Sequence, residues 1–309
     1  MNTKIRNIKV SFFSLIFLIV ITNCYTQQGW QNLNTSFGGI GIYFKDLNNG
    51  LIGNYKTTNA GGNWFFMGIN SGGTTLSFPN LNTGYGSYLY QILKTTNFGD
   101  TWVSQINPSN QNLNSINFPN VNTGFACGEG GNIIKTTNGG LNWVNVDNPL
   151  NINYYLFNVV FTDAETGYVS GIKSFSDTSI VMKTTNGGNN WSIQYYLRSN
   201  WGVFTAMFFV NSTTGYIGAA SHNYMLKTTN SGVNWLQYNI PTSNTIYSIY
   251  FPSANTGYAS CYSGQIIKTT NAGINWFLQT TGTGSELFSI FFINDLTGYC
   301  SGDNNTVLK

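Results

Sequence analysis

Charge is scarce in this chain, because only 7% of its 309 residues are Asp, Glu, Lys or Arg. The sequence has one histidine, His222, and two arginines, Arg6 and Arg198. A single histidine without a flanking signature argues against a Ser-His-Asp set and against a histidine-based metal site. The net charge of +3 predicts no nucleic-acid surface, since seven of the eleven lysines occupy one position of an internal repeat.

Cysteine is also rare. Cys24 lies near the N-terminus, and Cys127, Cys261 and Cys300 fall on the same kind of predicted strand in three different repeats. If Cys24 is removed with an N-terminal targeting segment, three cysteines remain, and an odd number with no C-x-x-C pair indicates neither a disulfide framework nor a zinc site. We expect these three to be small buried hydrophobic residues, and we expect no metal or other cofactor.

A long apolar run occurs from Val10 to Ile21, after three positive charges in the first nine residues. This pattern is typical of a secretory signal peptide, and the run is too short to cross a bilayer comfortably. We therefore predict a signal peptide over residues 1–26 and a mature chain that is exported, with no transmembrane segment. The predicted location is secreted, periplasmic or at the cell surface.

Two points about the ends of the chain stay open. The segment that ends in Cys24 resembles a lipoprotein processing site, but Asn23 stands where a small residue is expected. Cleavage and release are therefore favoured over a lipid anchor. A natural chain that continues past Lys309, with a sorting tail, is the other open alternative.

The chain is rich in one repeat. The segment K-T-T-N-x-G-x-x-W occurs six times, its lysines lie 38, 41, 48, 44 and 41 residues apart, and Lys309 follows after another 41. Repeats of this length are typical of propeller blades or solenoid units. An aromatic content of 16%, with Gly, Asn, Thr and Ser between short apolar runs, is typical of an all-β protein. The copies are Lys56–Trp64, Lys94–Trp102, Lys135–Trp143, Lys183–Trp191, Lys227–Trp235 and Lys268–Trp276.

Six of the seven motif lysines also have a Thr-Gly-Tyr or Thr-Gly-Phe turn upstream, the exception being Lys56. In the third repeat the pattern predicts four strands, Leu113 to Phe118, Phe125 to Gly128, Asn132 to Thr136 and Trp143 to Val146. We expect Gly124, in the first turn, to supply a positive φ. Four short antiparallel strands in a unit of about forty residues form a blade of a β-propeller.

The T-T-N-x-G-x-x-W segment resembles the Asp-box, or BNR repeat. Asn and Thr side chains hydrogen-bond backbone amides inside their own turn, and the Trp that follows buries its ring against the neighbouring sheet. Asn stands where the family usually has Asp, at Asn59, Asn97, Asn138, Asn186, Asn230 and Asn271.

The motif elements predict a closed ring. Trp30 has no K-T-T-N before it and Lys309 has no G-x-x-W after it, so joining them completes a seventh repeat. We therefore predict an all-β, seven-bladed β-propeller over residues 27–309, with four-stranded antiparallel blades and the N-terminal strand closing the last one. Only five residues separate Gly50 from Lys56, which predicts a curtailed second hairpin in blade 1.

The repeats resemble the propellers of the photosystem II stability and assembly factor family and, more distantly, sialidases and xyloglucan-cleaving enzymes. The resemblance implies a seven-bladed ring, and it does not carry over an activity. A sialidase would need three arginines to bind the substrate carboxylate, and the resemblance to the assembly factor implies an arginine-rich surface for its client. After residue 26 the sequence has one arginine, Arg198. Both activities are therefore disfavoured, and a scaffold like the assembly factor stays a third alternative.

Glycoside hydrolysis needs two carboxyl groups, about 5–5.5 Å apart for retention or about 6.5–9.5 Å apart for inversion. Glu286 and Asp303 are the pair that we expect on one face of blade 7. A secreted carbohydrate-active hydrolase that uses this pair is the second alternative, and ordinary solvated carboxylates are the simpler explanation.

Ligand binding is expected at the end of the ring opposite the repeat turns, where the remaining connections gather. These connections are long and aromatic in blades 3 to 5, and loops on a rigid scaffold often bind ligands. Aromatic rings fit sugars or peptide side chains, and arginine offers a planar fork of donors. The alternative is that several rings fill gaps between blades, above all Tyr195 and Tyr196. The candidate residues are Tyr154, Tyr155, Phe175, Tyr196, Arg198, Trp201, His222 and Tyr224.

The seven motif lysines are expected to form a ring near one rim. Solvated strand ends that keep blade edges from pairing are the favoured interpretation. Weak adhesion to an acidic polymer, screened over about 8 Å at physiological salt, is the alternative. Taken with the candidate site, the sequence predicts a monomeric, non-enzymatic module that binds an extracellular or cell-envelope glycan or protein.

Overall fold

A computed structural model describes residues 29–68, 75–150, 153–174, 176, 178–198 and 202–309. The predicted signal peptide therefore lies outside the described residues. The described chain forms seven antiparallel sheets and one short 3₁₀ helix, Tyr262–Gly264. The predicted seven-bladed, all-β propeller is confirmed.

In each blade the order of strands in the sheet follows the order in the chain. The first strands of neighbouring blades contact one another, so they surround the axis of the ring and the last strands form its outer rim. Blades 1 to 3 contain β1 (Ile42–Phe44), β2 (Gly50–Ile52), β3 (Tyr55–Thr57), β4 (Phe65–Phe66), β5 (Thr75–Ser77), β6 (Gly84–Tyr88), β7 (Gln91–Thr95), β8 (Val103–Gln105), β9 (Leu113–Asn117), β10 (Gly124–Gly128), β11 (Ile133–Thr136) and β12 (Val144–Asn145). Blades 4 to 7 contain β13 (Tyr154–Phe161), β14 (Gly167–Lys173), β15 (Thr178–Thr184), β16 (Ser192–Arg198), β17 (Phe204–Phe209), β18 (Gly215–Ala219), β19 (Tyr224–Thr228), β20 (Leu236–Asn239), β21 (Ile246–Tyr250), β22 (Gly257–Cys261), β23 (Ile266–Thr269), β24 (Phe277–Gln279), β25 (Leu287–Phe292), β26 (Gly298–Gly302) and β27 (Val307–Leu308).

The T-T-N turns and the Thr-Gly turns lie together at one end of the ring, which we call the turn face. In blade 3 the amide of Gly139 donates a 2.8 Å hydrogen bond to the carbonyl of Asn122, which joins the two turns. The remaining connections lie at the opposite end, the loop face. In blade 1 the connection there is only Gly53 and Asn54, so the predicted short hairpin is confirmed.

The T-T-N turn is held by its own side chains, as predicted. In blade 3 the Thr136 hydroxyl accepts a 3.0 Å hydrogen bond from the amide of Gly140, and Asn138 Oδ1 accepts a 2.9 Å bond from the amide of Asn142. Gly139 and Gly140 have φ of 64° and 81°. The same two bonds recur in the other five copies, so the Thr and Asn side chains of each turn hold it in this shape.

The motif tryptophan packs between two blades. Trp143 is buried in one cluster with Phe118 of its own blade and Tyr85 of blade 2. The rings of Tyr85 and Phe118 stack with centroids 3.6 Å apart, and Trp143 meets Phe118 edge-on at 5.7 Å. Such pairs add stability beyond the area that they bury. The expected packing of Trp against the neighbouring sheet is confirmed.

Glycine of the Thr-Gly turn serves a different purpose from the one expected. Gly124 is absent from the residues with positive φ, so the expected role is wrong. A Cβ atom at Gly124 would lie 2.3 Å from the ring of Phe118. Glycine is needed there because the phenyl ring lies flat over the backbone. The same clash occurs in all seven blades, at Gly50, Gly84, Gly124, Gly167, Gly215, Gly257 and Gly298.

Most motif lysines join blades rather than project into solvent. In blade 2 the Tyr85 hydroxyl and Lys94 Nζ both donate to the carbonyl of Gly139 in blade 3, at 2.8 and 2.6 Å. The favoured expectation of solvated strand ends is therefore wrong for the lysines that bind a carbonyl in this way. Equivalent pairs are Tyr168 and Lys183 on Ser231, Tyr216 and Lys227 on Ala272, and Tyr299 and Lys309 on Ala60, whereas Lys135 alone binds Gly187.

The N-terminal segment closes the ring. The amides of Gln31 and Lys309 each donate a 2.9 Å hydrogen bond to the other's carbonyl, and Leu33 donates to Val307 at 2.8 Å. Trp30 meets the ring of Phe292 edge-on at 5.8 Å, in the place that the motif tryptophan holds elsewhere. The predicted non-covalent closure of blade 7 is confirmed.

The three later cysteines are buried and form no disulfide, as expected. Burial raises the pKa of the Cys261 thiol to about 12 and that of Cys127 still further. All three are therefore unreactive thiols at neutral pH. Among the residues that the structure describes, no helix is both long and apolar enough to span a membrane.

Candidate functional site

Blade 4 projects from the loop face beyond its neighbour. Its second strand pairs with the first as far as Tyr154 with Lys173, six residues past Gly167. The same pairing in blade 5 ends at Ala219, four residues past Gly215. Two extra residues at about 3.4 Å each extend blade 4 by roughly 7 Å.

Several candidate residues that we expected in aromatic loops belong to strands. Tyr154 and Tyr155 belong to β13, Tyr196 and Arg198 to β16, and Tyr224 to β19. The expectation of loops is wrong at these positions. Aromatic and aliphatic residues dominate both segments of blade 4, and such residues favour strands when a neighbouring strand is available.

Tyr155 and Tyr154 are placed at the start of the inner strand. Tyr155 bridges to Glu129 of blade 3 and remains 43% exposed. Tyr154 packs against the cluster between blades 3 and 4, and its carbonyl accepts a 2.8 Å hydrogen bond from the amide of Gly131. Tyr155 is therefore available to a ligand, whereas Tyr154 mainly fixes the junction.

The outer strand β16 presents two different faces. Side chains alternate along a strand, so Tyr196 and Arg198 lie on one face and Tyr195 and Leu197 on the other. Tyr195 and Leu197 pack against the cluster between blades 4 and 5. Tyr196 is 69% exposed and Arg198 is exposed. Tyr195 and Tyr196 were both expected to fill gaps between blades. This expectation is confirmed for Tyr195 and wrong for Tyr196.

His222 and Tyr224 form a second group at the junction of blades 4 and 5. Their rings meet edge-on at 4.8 Å, and His222 Nδ1 lies 2.8 Å from the carbonyl of Ala220. Burial raises the pKa of Tyr224, and the nearby Tyr195 raises it further. Both tyrosines are half-buried and therefore neutral at physiological pH.

A shallow depression of about 470 Å³ lies beside this group, between two loop-face connections of blade 5. It is lined by Ser221, His222 and Asn223 on one side and by residues from Ile240 to Ser243 on the other. Its walls are mostly small and polar, so it offers a ligand few anchoring contacts. His222 faces this depression rather than the exposed side of β16.

The structure thus divides the candidate residues. Tyr196 and Arg198 share one exposed face of the blade 4 projection, Tyr155 lies at its inner edge, and His222 lies with Tyr224 at the junction with blade 5. Phe175 and Trp201 lie outside the described residues, so their predicted roles stay predictions.

Sequence reasoning missed Lys173. It ends β14 opposite Tyr154, is exposed, and adds a second positive charge to the projecting end of blade 4. The available signal was its place outside the repeat, since it is one of the few lysines after residue 26 that do not belong to the motif.

The acidic pair considered for hydrolysis lies at the loop face of blade 7. Glu286 Oε2 accepts a 2.7 Å hydrogen bond from the Tyr247 hydroxyl, and the amide of Asp303 donates to the carbonyl of Glu286 at 3.0 Å. Burial, followed by the bond to Glu286, raises the pKa of Tyr247. Asp303 Oδ1 is buried and accepts no hydrogen bond from the described residues. The two carboxylates therefore differ in their surroundings.

No group of three His, Cys, Asp or Glu side chains within the described ranges is placed to hold a metal ion. The expectation of no cofactor stays a prediction.

The fold can now be compared with known proteins. Residues 94–200, from β7 of blade 2 through blade 4, match a family model described as the photosynthesis system II assembly factor YCF48. This match confirms the resemblance inferred from the repeats over that part of the chain. A comparison with curated protein sequences finds no match.

Solved structures share the propeller at low sequence identity. A structure described as YCF48 bound to D1 peptide is 16% identical, with a TM-score of 0.72 over 91% of this chain and 96% of that one. Virginiamycin B lyase from Staphylococcus aureus is 14% identical, with a TM-score of 0.75 over 91% and 98%. A GH74 enzyme from Niastella koreensis is 18% identical, with a TM-score of 0.69 over 91% of this chain and 53% of that one. These similarities establish a common fold.

Proposed function

We propose that this protein is an exported, non-enzymatic propeller that binds a segment of another protein at the loop-face end of blade 4. The observation that carries the proposal is the projection of blade 4, which holds Tyr196 and Arg198 exposed on a rigid strand. Tyrosine and arginine, together with tryptophan, are enriched among the residues that dominate binding energy in protein interfaces.

The comparisons support a peptide as the ligand class. One protein of the same fold is described as bound to a peptide, although the similarity to this chain concerns the fold. The matched family segment includes all four strands of blade 4. A glycan is the second ligand class, because the exposed ring of Tyr196 offers a flat apolar face of the kind on which sugars stack.

Export is part of the proposal and rests on the N-terminal sequence, with its positive residues, apolar run and small residues before residue 26. The native protein should be found in the culture medium or cell envelope in a form that has lost residues 1–26. Retention of the full N-terminus in the cytoplasm would overturn this part.

The binding site is tested with a peptide array and a glycan array. The purified chain from residue 27 is compared with the double variant Tyr196→Ala, Arg198→Ala. The matched control is Tyr90→Ala, since Tyr90 is 55% exposed in the loop-face connection of blade 2. We expect peptide binding that the double variant loses and the control retains. Binding to glycans alone would show that the ligand is a glycan and not a peptide. Equal binding by all three proteins would show that Tyr196 and Arg198 do not form the binding site.

A further inference from the structure

The outer strand of blade 4 is unusually long. β16 has seven residues, whereas the outer strands β4, β8, β12, β20 and β24 have two to four. Natural sheets keep their edges short or interrupt them with charges or proline, because a long free edge pairs with other chains. β16 contains no proline and no charged residue before Arg198.

The backbone of this edge is unused. β16 pairs with β15 alone, and its residues make no further backbone hydrogen bond within the described parts of the chain. A bulge leaves Gln194 unpaired, so the regular stretch runs from Tyr195 to Arg198. Alternate residues of that stretch direct their N–H and C=O groups away from β15.

We propose that β16 binds an extended acidic segment of the partner protein by strand addition to this free edge. The inference rests on the proposed function and specifies how the partner is held. Main-chain hydrogen bonds would supply the affinity, and the side chains beside them the selectivity.

Charge determines which segment fits. Arg198 and Lys173 both lie at the projecting end of blade 4, and the ion pair between Lys56 and Asp100 is the sole one among the described residues. Neither charge has an ion-pair partner among the described residues, so both can bind a carboxylate. A second copy of this chain would suit the edge less well, because β16 has no acidic residue to place against Arg198.

The side chains favour one approach. Tyr195 and Leu197 are covered by blade 5, whereas Tyr196 is exposed on the opposite face. A segment added to the edge would place every second side chain on the face that carries Tyr196 and Arg198, so one apolar residue can pack on Tyr196 and an acidic residue two positions along can meet Arg198. We therefore expect a preference for alternating apolar residues that end in Asp or Glu.

The probe is a seven-residue peptide of alternating valine and threonine with a glutamate near one end and both termini capped. Two further versions carry N-methyl groups on alternate amides, one version for each edge of the peptide. Strand addition uses one edge, so we expect one methylated peptide to bind at least about tenfold more weakly and the other to bind like the parent. Binding is measured by fluorescence anisotropy against the native chain.

Three variants of the protein test the same edge by changing β16 instead of the peptide. Tyr196 and Leu197 are consecutive, so the amide of one points toward β15 and that of the other points outward. Tyr196→Pro and Leu197→Pro each remove one backbone N–H. We expect the variant that loses the outward N–H to keep the native melting temperature and to lose peptide binding. Arg198→Glu keeps the edge and weakens binding of the glutamate peptide by about threefold, a change that added salt reduces.

The outcomes separate this inference from the proposed function. Equal binding of both methylated peptides overturns strand addition and leaves protein binding through side chains in place. Failure of the unmodified peptide to bind overturns strand addition, and the peptide array then decides the proposed function separately. Dimer formation that the outward proline variant removes would assign the edge to a second copy instead.

Discussion

The hydroxyl of Tyr299 in blade 7 donates a 2.8 Å hydrogen bond to the carbonyl of Ala60 in blade 1. The bond crosses the point where the ring closes, and Lys309 Nζ donates to the same carbonyl at 3.0 Å. Ala60 has a φ of 58°, in the left-handed region. The turn that exposes this carbonyl belongs to one blade and its donors to another, so the repeat motif serves the contact between blades.

Replacing Tyr299 by Phe should lower the free energy of unfolding by about 1 kcal/mol, since one buried hydrogen bond is lost and the ring is kept. Blade 3 supplies the reciprocal test, because Phe125 stands where five other blades have tyrosine and the carbonyl of Gly187 lies opposite. We expect Phe125→Tyr to be neutral or stabilising. Chemical denaturation measures both, and equal losses from the two variants would contradict the assignment.

Alkaline pH should weaken the same contacts. Burial raises the pKa of Tyr85, Tyr168, Tyr216 and Tyr299 to about 12, against about 10 in an unfolded chain. The folded chain therefore keeps protons that the unfolded chain releases, and the stability is fully present below pH 10 and falls between about pH 10 and 12. The Tyr299→Phe variant should show a shallower fall in denaturation midpoint, and an identical pH profile would speak against this origin.

Adding one methyl group to a Thr-Gly turn should be costly. Gly124→Ala places a Cβ atom within 2.3 Å of the Phe118 ring, and overpacking of this kind costs about 3 kcal/mol. Gly29→Ala is the control, because a Cβ atom there meets nothing within 4 Å. Adding Phe118→Leu to Gly124→Ala should cost less than the sum of the single changes. Strict additivity would mean that the ring is not what excludes the side chain.

Removing the closing strand should open the ring. Deletion of residues 27–35 removes the backbone bonds of Gln31 to Lys309 and of Leu33 to Val307, so the melting temperature should drop sharply. Trp30→Ala is a milder change and should cost about 3 kcal/mol, because its ring packs on Tyr258 and Phe292. Calorimetry measures both variants, and a truncated chain that melts like the full one would refute closure by this segment.

The acidic pair of blade 7 provides a direct test for catalysis. The Tyr247 hydroxyl of blade 6 donates to Glu286 Oε2, so Glu286 already has a structural partner in the neighbouring blade. We expect no release of reducing sugar from a polysaccharide panel by the native chain. Release that Glu286→Gln abolishes would identify a hydrolase in place of a binding module.

Much of the fold was readable from the repeat. The motif from Lys135 to Trp143 encodes its own turn, since Thr136 and Asn138 bind amides only four residues away. Its spacing encodes the blade, and the separated halves at Trp30 and Lys309 encode the closure. Contacts that are local in sequence, and repeated, leave a pattern that can be counted.

The candidate site was less readable. The sequence indicated blade 4 through its aromatic residues, yet it could not show whether Tyr195 or Tyr196 would face solvent, because the answer depends on the register of β16 and the bulge at Gln194. It also gave no sign that Lys94 would bind the carbonyl of Gly139, 45 residues away.

The sequence by itself determined the number of blades, the turn chemistry and the closing segment, because each depends on residues that are neighbours in the chain or copies of one another. The tertiary structure alone decided which glycine makes room for a phenylalanine, which lysines join blades and which edge stays free. These features depend on how one sheet packs against the next, and the sequence of a single repeat does not contain that information.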